Sequence, residues 1–293
     1  MIIWFGGGLG NQLFQYALYR AAQENGCDVY ADLTFYKKNR CHNGYELKRI
    51  FNIDLKECNE QQIKDYGDRY DLLARLIRKF INPKFGLNPH IIRERHSNYI
   101  EGLVNKQNND AYLVGYWQSE KYFEPVRDKL RGELVFPDLN SDRNLRVAEE
   151  MKATSSVAIH VRRGDYLSKE NSELFKNLGE SRYYQNAINY LRSKYNDLKF
   201  YIFSNDVQWC RENLPLDNGT YIDWNHGVDS YIDMQLFSTC KYQIIANSSF
   251  SWWGAWLNPY APKEVLAPTE WFVKTSGYSD TMIIPEAWVK IDV

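Results

Sequence analysis

The chain is short of three things that would announce a cellular setting. Its five cysteines, Cys27, Cys41, Cys58, Cys210 and Cys240, are odd in number, scattered, and without a C-x-x-C spacing. That set provides neither a disulfide framework nor a tetrahedral zinc site, and fits reduced thiols in a cytosol. No stretch approaches the roughly 18 uninterrupted apolar residues of a membrane span. Met1 runs straight into "IIWF" and a glycine loop, without the charged and apolar regions of a leader. A cytoplasmic protein that does not cross a membrane is expected. Thirty-six basic residues face 37 acidic ones, for a net charge of −1. No global field therefore recruits nucleic acid or an anionic membrane, and any anion site must be local.

What the chain has in plenty is aromatic surface, with 22 Tyr and 9 Trp. Tyr and Trp offer amphipathic faces suited to partly apolar, partly polar ligands such as sugars, although most will serve as core and surface filler. The length of 293 residues is about two domains' worth. The segment "VFPDLNSDR" (135–143), with Pro, Asn, Ser and Asp together, is the natural boundary between lobes 1–140 and 141–293.

In the first lobe "MIIWF" reads as a strand, and "NQLFQYALYRAAQEN" places Leu13, Phe14, Ala17, Leu18, Ala21 and Ala22 on one helical face closed by Gly26. "CDVYADL" reads as the next strand, residues 70–81 as an amphipathic helix, and "AYLVGYWQSEKYF" as a strand running into a turn and helix. The second lobe alternates regularly. Strands "SVAIHV", "KFYIFS", "TYID", "KYQIIA" and "KEVLAP" are separated by helices "SRYYQNAINYLRSKY", "VQWCREN", "DSYIDMQLFSTC" and "FSWWGAWL". Such alternation predicts an α/β fold with a doubly wound parallel sheet.

Ligands of open parallel sheets sit beyond the carboxyl ends of the strands. There the second lobe collects Arg162, Arg163, Gly164 and Asp165 after "SVAIHV", Asn205 and Asp206 after "KFYIFS", and Asn247, Ser248 and Ser249 after "KYQIIA". Neighbouring residues of an extended chain face opposite sides, so one arginine is expected to reach a ligand while the other pairs internally, with Asp165 a candidate partner. A guanidinium fork and a serine-rich helix start together describe a diphosphate site. Taken singly, each signal has a plain structural reading: a salt-bridged arginine pair, a helix cap, a core histidine at His160, a helix-face carboxylate at Asp233. One more absence shapes this site. No two acidic residues stand at i and i+2, so no D-x-D pair offers to hold a divalent metal against a diphosphate. Neutralisation by arginine and backbone N–H groups, without metal or cofactor, is expected instead.

With these residues assembled, the chain resembles the α-1,2-fucosyltransferases of glycosyltransferase family 11. "HVRRGDY" (160–166) is similar to the family's H-x-R-R-x-D-Y motif, "GGLGNQLFQYA" (7–17) to its amino-terminal signature, "GYWQSEKYF" (115–123) to a middle segment and "NSSFSWWGAWL" (247–257) to its carboxyl-terminal signature. The four blocks span nearly the whole chain in the family's order. The resemblance implies a GT-B fold, with two Rossmann-like lobes facing across a cleft, the first on the acceptor side and the second binding the nucleotide. It implies GDP-β-L-fucose as donor, a galactose-terminated glycan as acceptor, an O-antigen or capsule repeat as product, inversion by a single displacement, and no metal. A lipid-linked acceptor would bring the protein to the inner membrane surface.

By the same resemblance Arg162 holds the β-phosphate, Ser248 and Ser249 bind phosphates or fucose, and Asp233 reads guanine. His160, Arg163, Asp165 and Asn205 join them on the donor side. Gly8 and Gly10 approach from the opposite lobe, and Asn11 lines the reacting centre. Tyr116, Trp117 and Gln118 are candidates for the acceptor, Glu46 a further one, and Asp32 is the candidate base, with a loop-capping role as its alternative. Two other readings stay open on the sequence. "FGGGLGN" imitates a dinucleotide loop, but the third glycine of G-x-G-x-x-G falls on Asn11. A nucleotide-sugar or glycan binder without turnover is the other.

Overall fold

The short apolar run Ile2–Trp4 forms the first strand (β1) because it is buried on both faces and ends at three glycines that let the chain turn. The structure, a computed structural model, describes residues 1–38, 42–64, 66, 76–77, 79, 87–214, 216–217, 219–261 and 263–293. Cys41 lies outside the described residues, as does the helix expected over 70–81 apart from Leu76, Ile77 and Lys79.

β1 joins β2 (Tyr30–Asp32), β3 (Ile91–Arg93) and β4 (Tyr112–Val114) in a parallel sheet of order β2-β1-β4-β3. A second parallel sheet holds β5 (Ser155–Val161), β6 (Leu198–Ser204), β7 (Gly219–Ile222), β8 (Tyr242–Ile244), β9 (Glu264–Pro268) and β10 (Val289–Ile291), in the order β10-β9-β8-β5-β6-β7. Its longest pairing runs from Ser155 opposite Leu198 to Val161 opposite Ser204. All five strands expected in the second lobe are present. Strands β3 and β10 were not foreseen. Both are three-residue strands at a sheet edge, each with an exposed charged residue, Arg93 or Lys290, so neither shows the continuous apolar run of a central strand.

The helices that matter for the site are α1 (Leu9–Glu24), α2 (Leu47–Phe51), α3 (Asp142–Ala153), α4 (Tyr183–Lys194), α5 (Val207–Asn213), α6 (Tyr231–Phe237) and α7 (Ser249–Leu257). The expected apolar face of α1 is buried, and so are Gln12, Gln15, Tyr16 and Tyr19 on its other sides. Its remaining faces are covered because α7 packs against it from the second sheet. Phe14 lies 4.5 Å from the Trp252 ring and 5.2 Å from that of Trp253. One apolar core therefore runs from β1 through α1 and α7 to Trp288, and a second fills the opposite face of the six-stranded sheet around Val157, Ile159 and Tyr183. Residues 134–141 form no regular element between the two sheets.

Both sheets reverse their winding at a defined place. In the second, β6 and β7 extend to one side of β5 while β8, β9 and β10 extend to the other; in the first, β2 and β4 flank β1. Loops leaving the two strands at such a point diverge and open a crevice at their carboxyl ends. The two crevices face one another.

Candidate active site

Between the sheets lies a cavity of about 1070 Å³, lined from one side by Gly8, Gly10, Asn11, Glu46, Glu94, Tyr116 and Gln118 and from the other by His160, Arg162, Asp165, Asn205, Asp233, Ser248 and Ser249. Among the residues given a role from the sequence, Arg163, Asp32 and Trp117 do not line it.

Its middle is built for an anion. Arg162 leaves the end of β5 and its Nη2 donates to Asp165 Oδ2 at 2.7 Å. Asn205, at the end of β6, donates from Nδ2 to Asp165 Oδ1 at 3.1 Å and accepts from the Arg163 N–H at 3.0 Å. These bonds fix the Arg162–Asp165 turn without neutralising every guanidinium donor. The arginine pair does split as alternation demands, but with other partners than expected. Asp165 serves the cavity-facing Arg162, while Arg163 turns away, reaches Asp206 at 3.3 Å and stacks over Trp209 at 5.2 Å. Arg163 supports the wall from behind.

Opposite Arg162 is the amino end of α7. Ser248 caps it, its Oγ accepting from Phe250 N–H at 3.4 Å, and the first-turn N–H groups have no partner within the helix. His160, buried, holds this corner through a 2.9 Å contact between Nδ1 and Ser251 Oγ. Burial and the nearby Arg162 charge push its pKa down to about 3, so the ring is neutral. From the first sheet, Gly10 presses on the same corner: a Cβ there would lie 2.5 Å from the Ser249 carbonyl carbon and 2.7 Å from Phe250 N. Gly7 holds φ +83°, the left-handed region. The glycine loop is thus a close backbone approach to the opposite helix start. His42, which sequence reasoning passed over, faces Gly8 beside Arg162, and burial and that arginine lower its pKa.

At one end of the cavity stands Asp233, in the first turn of α6. Asn225 Nδ2 donates to its Oδ1 at 2.8 Å, and Asn225 is itself braced by Asn144 on α3. Burial pushes the Asp233 pKa up to about 7. The first sheet reaches this end through Asn43, whose Nδ2 donates to Gly227 O at 2.8 Å and Ser230 Oγ at 3.1 Å. Glu46 lies beside it, its Oε1 accepting from Arg49 on α2 at 2.8 Å.

At the other end Gln118 donates to Asn11 Oδ1 at 2.8 Å, joining two segments that the sequence holds 107 residues apart. Tyr116 lines the wall and packs on Trp4 at 6.0 Å. Trp117 departs from expectation. At a φ of 56° its side chain is turned inward and fully buried against Tyr122, so it belongs to the core. Asp32 departs as well. It is 2 % exposed, off the cavity, and accepts from Tyr112 OH at 2.5 Å and Thr34 N–H at 2.8 Å. It caps the turn after β2, the alternative weighed for it. Glu94, by contrast, follows β3 into the cavity and was missed because the edge strand before it was missed.

Residues 90–281 match the model of Glycosyl transferase family 11. The Escherichia coli alpha-1,2-colitosyltransferase is 36% identical over 98% of this chain and 97% of its own length. The chain belongs to glycosyltransferase family 11. Another Escherichia coli relative, the O-antigen biosynthesis glycosyltransferase WbnK, is 28% identical over 97% of this chain and 98% of its own. Galactoside alpha-(1,2)-fucosyltransferase 1 of Ateles belzebuth is 28% identical over 50% of this chain and 42% of its own. The family 11 match begins at residue 90, after the glycine loop. The cavity described above is the candidate active site of this family 11 glycosyltransferase.

Proposed function

We propose that this glycosyltransferase moves L-fucose from GDP-β-L-fucose to the 2-hydroxyl of a terminal β-galactoside, with inversion at the anomeric carbon, in the making of an O-antigen or capsule glycan. One observation carries the reading. A single cavity has a half-buried carboxylate at one end, an arginine facing a helix start in the middle, and an amide pair with a tyrosine at the other end. That order suits guanine, diphosphate, sugar and acceptor in sequence. Asp233, when ionised, can accept the N1–H and amino group of guanine, which adenine lacks. Departure of GDP leaves charge on the β-phosphate as the sugar acquires oxocarbenium character. Arg162 and the first-turn N–H groups of α7 stabilise that charge more in the transition state than in the ground state. They are expected to do so without a metal. A lipid-linked acceptor would hold the enzyme at the inner membrane surface.

The identity to the colitosyltransferase favours a second donor, GDP-colitose, since colitose is the 3-deoxy counterpart of L-fucose. The test is a GDP-release assay of the purified protein with each donor and a panel of galactosides, followed by linkage analysis of the product. Release with GDP-fucose and an α-1,2 product supports the proposal, and release with GDP-colitose alone replaces the donor. Absence of turnover with either, together with a thermal shift by GDP, would leave the binder reading. A thermal shift by NAD but not by GDP would restore the dinucleotide reading.

A further inference from the structure

With Asp32 capping a turn, the acceptor side lacks the base assigned to it, and an inverting displacement still has to dispose of the acceptor's hydroxyl proton. Five other carboxylates line the cavity: Glu46, Glu94, Asp165, Asp223 and Asp233. Three of these face cations already. Glu46 holds Arg49 at 2.8 Å, Asp165 holds Arg162 at 2.7 Å, and Asp223 stands 3.3 Å from Arg211. Asp233 sits on α6 at the opposite end from Gln118, against Asn225. Glu94 is left, and its setting is unlike the others.

Glu94 follows β3, beside the Gly115–Gln118 turn that follows β4. Its Oε2 accepts from two successive backbone N–H groups, Tyr116 at 2.6 Å and Trp117 at 3.0 Å. These bonds fix the carboxylate plane and leave Oε1 with no hydrogen bond to any described residue. The seat depends on Gly115, where a Cβ would fall 2.4 Å from Glu94 Cβ and 2.8 Å from its Oε2. The left-handed φ of Trp117, 56°, turns the chain just after these two N–H groups and sends Gln118 on to Asn11. A carboxylate anchored on one oxygen, open on the other, without a cation partner among the described residues and placed beside the acceptor-side amide pair has the form of a positioned proton acceptor.

We propose that Glu94 is the general base of the transfer, an assignment that rests on reading the chain as a GDP-sugar-dependent transferase. The acceptor hydroxyl oxygen forms its bond to the anomeric carbon as its proton passes to Glu94 Oε1. The bond from that carbon to the β-phosphate oxygen breaks, and its electron pair leaves with GDP. Burial raises the Glu94 pKa, which the two N–H bonds partly oppose, bringing the group closer to working pH than an exposed glutamate.

The test is Glu94→Gln, which keeps an oxygen for the Tyr116 and Trp117 N–H groups. Turnover on whichever donor the wild type uses should fall about 10²–10⁴-fold, while GDP affinity and donor KM stay within about threefold and the acidic limb of kcat, measured with both substrates saturating so that Asp233 is already engaged, disappears. A variant within about tenfold of wild type, or one that keeps the acidic limb, overturns the assignment. Should Glu94→Gln fold poorly, the wild type decides alone: a kcat profile with both substrates saturating that lacks an acidic limb above the ordinary glutamate range overturns it equally. A wild type that transfers from neither GDP-fucose nor GDP-colitose sinks the functional reading and this one with it. That outcome differs from an active wild type matched by its variant.

Discussion

Replacing Gly10 by alanine separates two effects of opposite sign. Gly10 lies in the first turn of α1 and has an ordinary helical setting, so on propensity alone alanine should stabilise the helix by up to about 1 kcal/mol. The new methyl, however, would meet Ser249 C at 2.5 Å and Phe250 N at 2.7 Å, where ordinary contact begins at 3.4 Å, a shortfall of about 0.9 Å. The obstacle is backbone at the start of α7, which cannot rotate aside as a side chain would. Either α1 or α7 must shift, and both are tied to Phe14, Trp252 and Trp253 in the shared core. Overpacking of this kind costs about 1–3 kcal/mol, enough to outweigh the helix gain. Gly10→Ala should therefore lower Tm by a few degrees, on the scale of about 2–4 °C per kcal/mol for a chain of this class. The same displacement moves Ser248 and Ser249 relative to Arg162, and misplacement by about 1 Å can cost on the order of 10²-fold in rate. Differential scanning calorimetry with steady-state kinetics reads both. A raised Tm with unchanged kcat would refute the close approach between the glycine loop and α7, and with it the way the cavity is closed.

Three further outcomes follow from the site. Arg162→Ala should lose about 10²–10³-fold in kcat, the scale of removing one preorganised donor, and near-normal turnover in steady-state assays would remove Arg162 from the mechanism. Asp233 must be ionised to accept from guanine, and its pKa stands at about 7, so GDP affinity measured by calorimetry should weaken as pH falls below about 7. Because the folded form holds that proton more tightly than the unfolded chain, the free protein loses stability from this group as pH rises from about 4 to about 7, opposite to the binding trend. Asp233→Asn should flatten both, and a pH-dependent GDP affinity surviving in that variant would assign the effect elsewhere. Asp32→Asn should leave the pH–rate profile in place while costing about 1–3 kcal/mol by chemical denaturation, since it weakens the acceptor of Tyr112 OH and Thr34 N–H. Loss of the acidic limb in that variant would return Asp32 to the role of base.

What the sequence by itself determined is what local pattern encodes. The alternation of apolar runs and amphipathic segments identifies five of the six strands of the second sheet and places Arg162, Asn205 and Ser248 at their carboxyl ends, because a parallel sheet puts its loops there whatever the loops contain. The ordered motifs resemble those of the family to which the family model and the relatives then assign the chain. The departure of Asn11 from a glycine marks the loop as something other than a dinucleotide cradle, and Asn11 does stand in the cavity, bonded to Gln118. What only the tertiary structure decided is how segments far apart in the chain share space. Edge strands β3 and β10 owe their place to pairing rather than to their own apolar content, so Glu94 could not be seen until β4 was beside it. Trp117 and Tyr116 are neighbours in sequence and alike in chemistry, yet a left-handed backbone turn sends one into the core and leaves the other on the cavity wall. Asp32 has the right topology for a base, and loses the role to a phenol that arrives from 80 residues away. Position along a strand is a local property that composition can signal. The partner that occupies a carboxylate is not, because it depends on which loops the packing of α1 against α7 draws together.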